Sequence, residues 1–146
     1  MWKIAKQVRE AAIKLQVPVA ALSQEEASTI RERVLERYTE SDRRGALWER
    51  LRDVVSVQNA DAWKWLGDYA GDDAGVLFFN AEDESEIFEF EHRRDIVSAL
   101  TECTGFEFYV TNRESSFVLC FNHHDFLIAA GDARTWLVSL HSNDHR

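Results

Sequence analysis

The sequence predicts an α+β domain, with a helical amino-terminal half packed on a mainly antiparallel sheet of about five strands and one inserted and one carboxy-terminal helix. Three observations carry this. Apolar residues in the first 70 positions recur at helical spacing, and from position 76 onward they fall into short alternating or continuous runs of strand length. The strands then follow one another instead of alternating with helices, which implies an antiparallel sheet with helices on one side. The chain of 146 residues suits one domain, 1–146, with 1–70 as its helical portion and 76–146 as its sheet portion.

Each element has a local reason. Ile4, Val8, Ala11 and Leu15 mark one face of a helix that stops before Pro18, which a helix interior does not tolerate. Ser23 followed by Glu26 is a capping-box signature, and Ala27, Ile30, Val34 and Tyr38 continue as an amphipathic helix. Leu47, Leu51, Val54 and Val55 predict a third helix, and Asp61 opens a short fourth carrying Trp63, Leu66 and Tyr69. After Gly75 the period changes. Val76 to Phe79 is a continuous apolar run, as in a strand covered on both faces, whereas Glu86 to Glu91 alternates Phe with Glu and predicts an acidic outer face. Ile96, Val97, Leu100 and Cys103 return to helical spacing. Strands over Phe106–Thr111, Phe117–Phe121 and Phe126–Ala130 follow, joined by Asn112–Ser116 and Asn122–Asp125, and Trp136, Leu137 and Leu140 predict a short last helix.

Apolar residues make up 45% of the chain, with five Trp, nine Phe, one Pro and six Gly, a composition that supports a packed core and excludes a disordered or linker-rich protein. No apolar run approaches the roughly 20 residues that span a bilayer, and the charged opening Met1 to Lys6 lacks an export-signal pattern, so no membrane partner and a cytoplasmic setting are expected. Cys103 and Cys120 match no zinc spacing and fall in core elements, where reduced buried thiols fit the same compartment.

The net charge of −9 comes from one stretch. Trp65 to Glu91 holds nine carboxylates and no Lys or Arg, while the other 17 acids balance 17 bases. Concentrated charge costs self-repulsion and steers association, so it points to a cationic partner, with Asp72, Asp73, Glu82, Asp83, Glu84, Glu86 and the aromatic anchor Trp65 as the candidate contact residues. The opposing reading is a solvated, solubilising segment. With no basic stripe to outweigh this field, direct nucleic-acid binding is not expected.

Asn122-His123-His124-Asp125 is the strongest chemical candidate. Its His123, His124 and Asp125, with Glu107 from a neighbouring strand, could hold a metal for assisted hydrolysis. Adjacent residues at a strand end point to opposite sides, which counts against both imidazoles meeting one ion. The structural alternative has Asn122 and Asp125 bonding turn amides while one histidine packs on an aromatic ring and bonds a carbonyl. His141, Asp144 and His145 could chelate if the last helix reached them, although a fraying tail is the simpler expectation. Ser115 or Ser116 with a histidine and Asp125 would make a hydrolytic triad, but no nucleophile-elbow glycines flank them. Trp48 and Trp65 fall off the main apolar stripes, and an exposed patch around them would suit an adaptor that binds a partner helix. No phosphate loop or dinucleotide fingerprint is present, and no cofactor is expected.

The segment Gly105-Phe106-Glu107-Phe108-Tyr109-Val110, a turn, an aromatic-led strand ending at Cys120, then Asn122-His123-His124-Asp125 and an apolar strand resembles a bacterial domain family of uncharacterised function found among polymorphic-toxin immunity genes. The likeness covers about the last half of the chain and carries no catalytic residues. It departs at Phe117, where the family pattern has Trp, and at Phe121, where it has Glu, so any chemistry of that Glu is absent. The resemblance implies a cytosolic immunity protein. Together with the acidic stretch it leads to the expectation of a non-catalytic protein that occludes the electropositive active site of a cognate toxin. The alternatives are a metal-assisted hydrolase, an adaptor, or a DNA mimic presenting carboxylates as false phosphates.

Overall fold

The computed structural model describes residues 3–40, 45–103 and 105–144. Its centre is one antiparallel sheet of seven strands: β1 (Val19–Ala21), β2 (Val55–Gln58), β3 (Gly75–Phe78), β4 (Phe88–Phe90), β5 (Phe108–Thr111), β6 (Phe117–Phe121) and β7 (Phe126–Gly131), in the spatial order β1-β4-β3-β5-β6-β7-β2. The helices are α1 (Ile4–Leu15), α2 (Gln24–Tyr38), α3 (Leu47–Arg50), a 3₁₀ helix (Ala62–Asp68), α4 (Arg93–Leu100) and α5 (Ala133–Asp144). The fold is α+β, with seven strands instead of about five.

Strands β3 and β5 are buried at every position, and β6 and β7 at nearly every one, so each needs cover on both sides. The alternation sorts their side chains into two cores. Leu77, Phe79, Val110, Phe117, Leu119 and Leu127 pack with Val8 of α1, Ile96 of α4, Leu66 of the 3₁₀ helix and Leu137 of α5. Val76, Phe78, Tyr109, Val118, Cys120 and Ile128 pack instead with Ala27, Ile30 and Val34 of α2 and Leu47 of α3. Helices therefore cover both faces, which corrects the expectation of one: a strand without a polar face cannot leave either side wet. The Ser23 capping box forms as expected, with the Glu26 amide on the Ser23 hydroxyl at 3.1 Å.

The first 70 residues are not purely helical, for they supply both edge strands. β1 is three residues long, too short to show a period, and lies on β4 with Val19 opposite Phe90. Val54 and Val55 do not continue a third helix. That helix ends at Arg50, Asp53 takes a left-handed conformation (φ 54°), and Val55 and Val57 alternate with Ser56 and Gln58 as β2 pairs with β7. β-branched residues fit the pleat better than a helix, and β7 would otherwise expose a bare edge.

Crossover helix α4 lies close to β3 because Gly75 has no side chain. A Cβ there would sit 2.7 Å from Arg93 Cγ and 2.9 Å from Ile96 Cδ1. Arg93 is only 6% exposed: its guanidinium donates to the carbonyls of Ala74 at 3.0 Å and Tyr69 at 3.2 Å and lies 4.5 Å over the Phe117 ring. Gly75→Ala therefore drives a methyl into a pinned, close-packed contact and is expected to cost about 1–3 kcal/mol. Urea unfolding should show a lower midpoint at unchanged slope, and a variant as stable as the parent would mean that α4 is free to back away.

Candidate functional site

The site begins with register. Phe108 of β5 pairs with Phe121 of β6, which brings Glu107, one residue before β5, alongside the corner that leaves β6. That corner is built by Asn122, which is 2% exposed. Its Oδ1 accepts from the amides of His124 at 3.0 Å and Phe126 at 3.1 Å, and its carbonyl accepts from the Asp125 amide at 3.1 Å. Asp125 takes a left-handed conformation, φ 64°, which Asp tolerates better than most residues. The turn thereby rotates both histidines to one side, with ring centroids 3.8 Å apart. The expectation that adjacent residues diverge holds for extended backbone, and here the backbone is not extended.

Glu107 is the hub. Its Oε2 accepts from the His123 amide at 2.9 Å and pairs with His123 Nδ1 at 2.6 Å, while its Oε1 accepts from Trp48 Nε1 and Asn80 Nδ2, both at 3.0 Å. Asn80 Oδ1 in turn accepts from the Tyr109 hydroxyl at 2.6 Å and the Leu47 amide at 3.2 Å, and the Trp48 amide donates to Tyr109 Oη at 3.0 Å. The Trp48 ring meets both imidazoles edge-on, at 6.1 Å for His123 and 5.8 Å for His124. One carboxylate thus joins α3, the loop after β3, the start of β5 and the β6–β7 corner.

Burial works against ionising Glu107, but the four N–H groups prevail and hold its carboxyl below the ordinary glutamate range. The neutral Tyr109 phenol is favoured by burial, which raises its pKa. An ionised Glu107 makes His123 Nδ1 the protonated nitrogen and turns Nε2 outward on a ring whose side chain is 63% exposed, against 14% for Glu107.

The arrangement is therefore a structural clasp that ends in an exposed imidazole pair. The structural reading of the corner is met in part: Asn122 bonds the turn amides and a histidine packs on an aromatic ring, but that histidine bonds a carboxylate instead of a carbonyl. Among the described residues no group of three His, Cys, Asp or Glu side chains stands together as metal ligands. Glu107 spends both oxygens on N–H donors and has no lone pair directed outward. Ser115 and Ser116 lie in the β5–β6 hairpin at the other end of β6, a five-residue strand, about 15 Å from the histidines, so no triad forms. Ser115 is buried and, among the described residues, its hydroxyl has no partner. His141 and Asp144 fall in the last turn of α5, which runs further than the short helix expected, and His145 lies outside the described residues.

The acidic stretch does not form one patch. Asp72 and Asp73 precede β3 and Glu82, Asp83, Glu84 and Glu86 follow it, so the groups sit at opposite ends of a four-residue strand, at least about 13 Å apart and beyond a Debye length of roughly 8 Å. Arginines also claim several of them: Asp72 pairs with Arg94, Glu86 with Arg9, and Glu89 with Arg113, which also holds Glu26 of α2 at 2.6 Å. Glu84 turns inward to accept from the Ala5 amide at the start of α1, at 3.0 Å. Periodicity along one segment cannot reveal such long-range partners. Among the described residues, Asp73, Glu82 and Asp83 remain exposed and outside any ion pair. Trp65 is half-buried against the core on the α1 and α4 side, whereas Trp48 packs on the α2 side, so the two do not share a patch.

Glu82 and Asp83 line a cleft of about 310 Å³ with Arg31 and Leu35 of α2, Leu47 of α3 and Asn80. Asn80 Nδ2 lies 3.4 Å from Asp83 Oδ2, so the residue that braces Glu107 also touches the acidic rim. Asn80 and Tyr109 escape sequence reasoning. The first reads as the polar end of an apolar run and the second as a core aromatic, and only the fold shows that they share a bond. Cys103 and Cys120 are free thiols whose pKa values burial raises, Cys103 to about 11, which leaves both in the unreactive protonated form at neutral pH.

Because Glu107 has a lowered folded pKa, the stability it contributes is fully present above the unfolded glutamate value of about 4.3 and is lost as pH falls through the folded value. Glu107→Gln sets an amide against N–H donors and is expected to cost about 2–4 kcal/mol at neutral pH while flattening the acid limb of the stability profile. Parallel acid limbs in chemical unfolding of parent and variant would contradict this. Comparison of the chain with family models, curated proteins and solved structures finds no match to any of them.

Proposed function

We propose that this chain is a non-catalytic binding protein of the immunity type, which meets a cognate toxin with a basic surface through the exposed corner of His123, His124 and Trp48 and the adjoining carboxylates Glu82 and Asp83. One observation carries the reading. Asn80 bonds Glu107 and approaches Asp83, so the free carboxylates and the imidazole pair stand on one braced framework. A face fixed before contact loses little ordering entropy on binding, which is what a tight inhibitor requires. Glu82 and Asp83 at the rim would raise the association rate, and occlusion of the partner's active site would follow from docking. Asp72, Glu84 and Glu86, committed to internal partners, drop out of the proposed contact set, and Trp65 lies on the other face of the sheet. A cytoplasmic setting belongs to this reading and is supported by the two free thiols; among the described residues no helix is long and apolar enough to cross a membrane.

A second reading is favoured by the contact of Glu107 with His123 Nδ1. A carboxylate that orients an imidazole and leaves Nε2 outward is half of an acid–base apparatus, and His124 beside it could share a metal in a hydrolase. Loss of hydrolysis, or of stoichiometric metal, on changing both histidines to Ala would support that reading over binding.

For the binding reading, a partner captured by the parent chain should be toxic when expressed alone and neutralised by the chain. The double variant Glu82→Lys/Asp83→Lys should fold normally and associate about tenfold or more slowly at low ionic strength, with the difference shrinking as salt is added. Equal association rates for parent and variant would remove Glu82 and Asp83 from the interface.

A further inference from the structure

Arg31 of α2 lines the cleft of Glu82 and Asp83 together with Arg50 of α3, and like Arg33, Arg37 and Arg93 it bonds backbone carbonyls. Arg9, Arg94 and Arg113 each hold a carboxylate, but among the described residues the half-buried Arg31 guanidinium donates only to the carbonyls of Phe79 at 2.9 Å and Glu84 at 3.4 Å and lies 5.7 Å over the Phe78 ring. Those bonds use two of its five N–H donors. Burial without a compensating anion lowers its pKa, the mark of a desolvated charge. Glu82 and Asp83 line the same cleft and carry the opposite charge, yet no oxygen of either comes within 4.0 Å of Arg31. Glu107, also at the cleft, is saturated by its own donors.

We propose that this cleft binds a small zwitterion, with its carboxylate on Arg31 and its cationic nitrogen at Glu82 and Asp83. Arg31 and the two carboxylates face one space without closing on each other, which leaves a gap that a molecule carrying both charges would fill. The guanidinium suits a carboxylate, to which it can donate two parallel hydrogen bonds. Leu35 and Leu47 give the space an apolar wall against which a short methylene spacer packs. A volume of about 310 Å³ is at the low end of small-molecule sites and fits a ligand of amino-acid size. The inference shares Glu82 and Asp83 with the proposed partner face but needs no protein partner, so its titrations can fail or succeed independently of that reading.

The probes are ω-amino acids of increasing length (glycine, β-alanine, 4-aminobutyrate and 6-aminohexanoate), titrated into the whole chain by calorimetry and by amide chemical shifts. One length should bind about tenfold or more tighter than the others, shifting the Leu47 amide, and butyrate, which lacks the cation, should bind about tenfold or more weakly. Arg31→Gln and the double variant Glu82→Gln/Asp83→Asn should each lose about tenfold or more in affinity for that probe. If Arg31→Gln fails to fold, the exposed double variant and the butyrate comparison decide the matter alone. Absence of binding by every member of the series, or binding indifferent to the double variant and to loss of the cation, overturns the proposal.

Discussion

Four adjacent strands, β3, β5, β6 and β7, carry almost no polar face, and that constraint governs the rest of the molecule. A sheet left bare on either side would expose rows of Phe, Leu, Val and Ile, each of which stabilises the fold by roughly 1.5–3 kcal/mol when buried. Two layers of helix are thus compulsory. α1, α4, α5 and the 3₁₀ helix take one side, and α2 with α3 takes the other. The requirement also explains the route of the chain. β3 and β4 form a hairpin, α4 crosses over the first face, and β5 returns on the other side of β3. Gly75 is where the crossing helix comes nearest, and an added methyl there would meet Arg93 and Ile96.

The second layer is thinner, and polar contacts complete it. α2 is a full helix, but α3 spans four residues and cannot hold its place by its own hydrogen bonds. It is fixed through side chains instead: the Trp48 amide and indole reach Tyr109 and Glu107, and the Leu47 amide reaches Asn80. Each of these acceptors is part-buried, so each bond is worth more than it would be in water, and each would be costly to leave half made. Glu107 is the only charged member, and its ionised form is sustained because every lone-pair direction meets a donor. The exposed histidine pair is a consequence, since one oxygen of Glu107 holds both the His123 amide and its ring.

How much of this was legible from residues follows from where each signal lies. The α1 stripe, the Ser23 capping box, the Phe117–Phe121 strand and the Gly-to-Asn boundaries of β3 are local, and each appears where periodicity and turn chemistry put it. β1 and β2 were hidden, the first because three residues show no period and the second because Leu51, Val54 and Val55 fit a helical spacing that only pairing with β7 overrides. At the corner, the Asn-His-His-Asp run announced itself and Glu107 was visible as its neighbour. The side on which the histidines emerge depended on the left-handed backbone of Asp125, and Asn80 and Tyr109 depended on tertiary contact alone.

Charge shows the same division more sharply. A window with nine carboxylates and no base looks like a single electrostatic feature, but in three dimensions counter-ions arrive from elsewhere in the chain: Arg9 from α1, Arg94 from α4 and Arg113 from the β5–β6 hairpin, while Arg31 of α2 and Arg93 of α4 bond the window's backbone carbonyls. The segment before β3 is wrapped on α4 by its own backbone, with the Asp73 carbonyl on the Arg93 amide at 2.8 Å and the Gly71 carbonyl on the Arg94 amide at 3.2 Å. Much of the acidity thus serves to clamp loops on helices. Carboxylates already bound to arginine offer little field to a partner, because screening and pairing cancel them within a few ångströms. The proposed binding role then falls to carboxylates that, among the described residues, stand outside ion pairs and to the rigidity of what surrounds them, and Glu82 and Asp83, facing Arg31 and Arg50 across a cleft braced by Asn80, combine the two in one place.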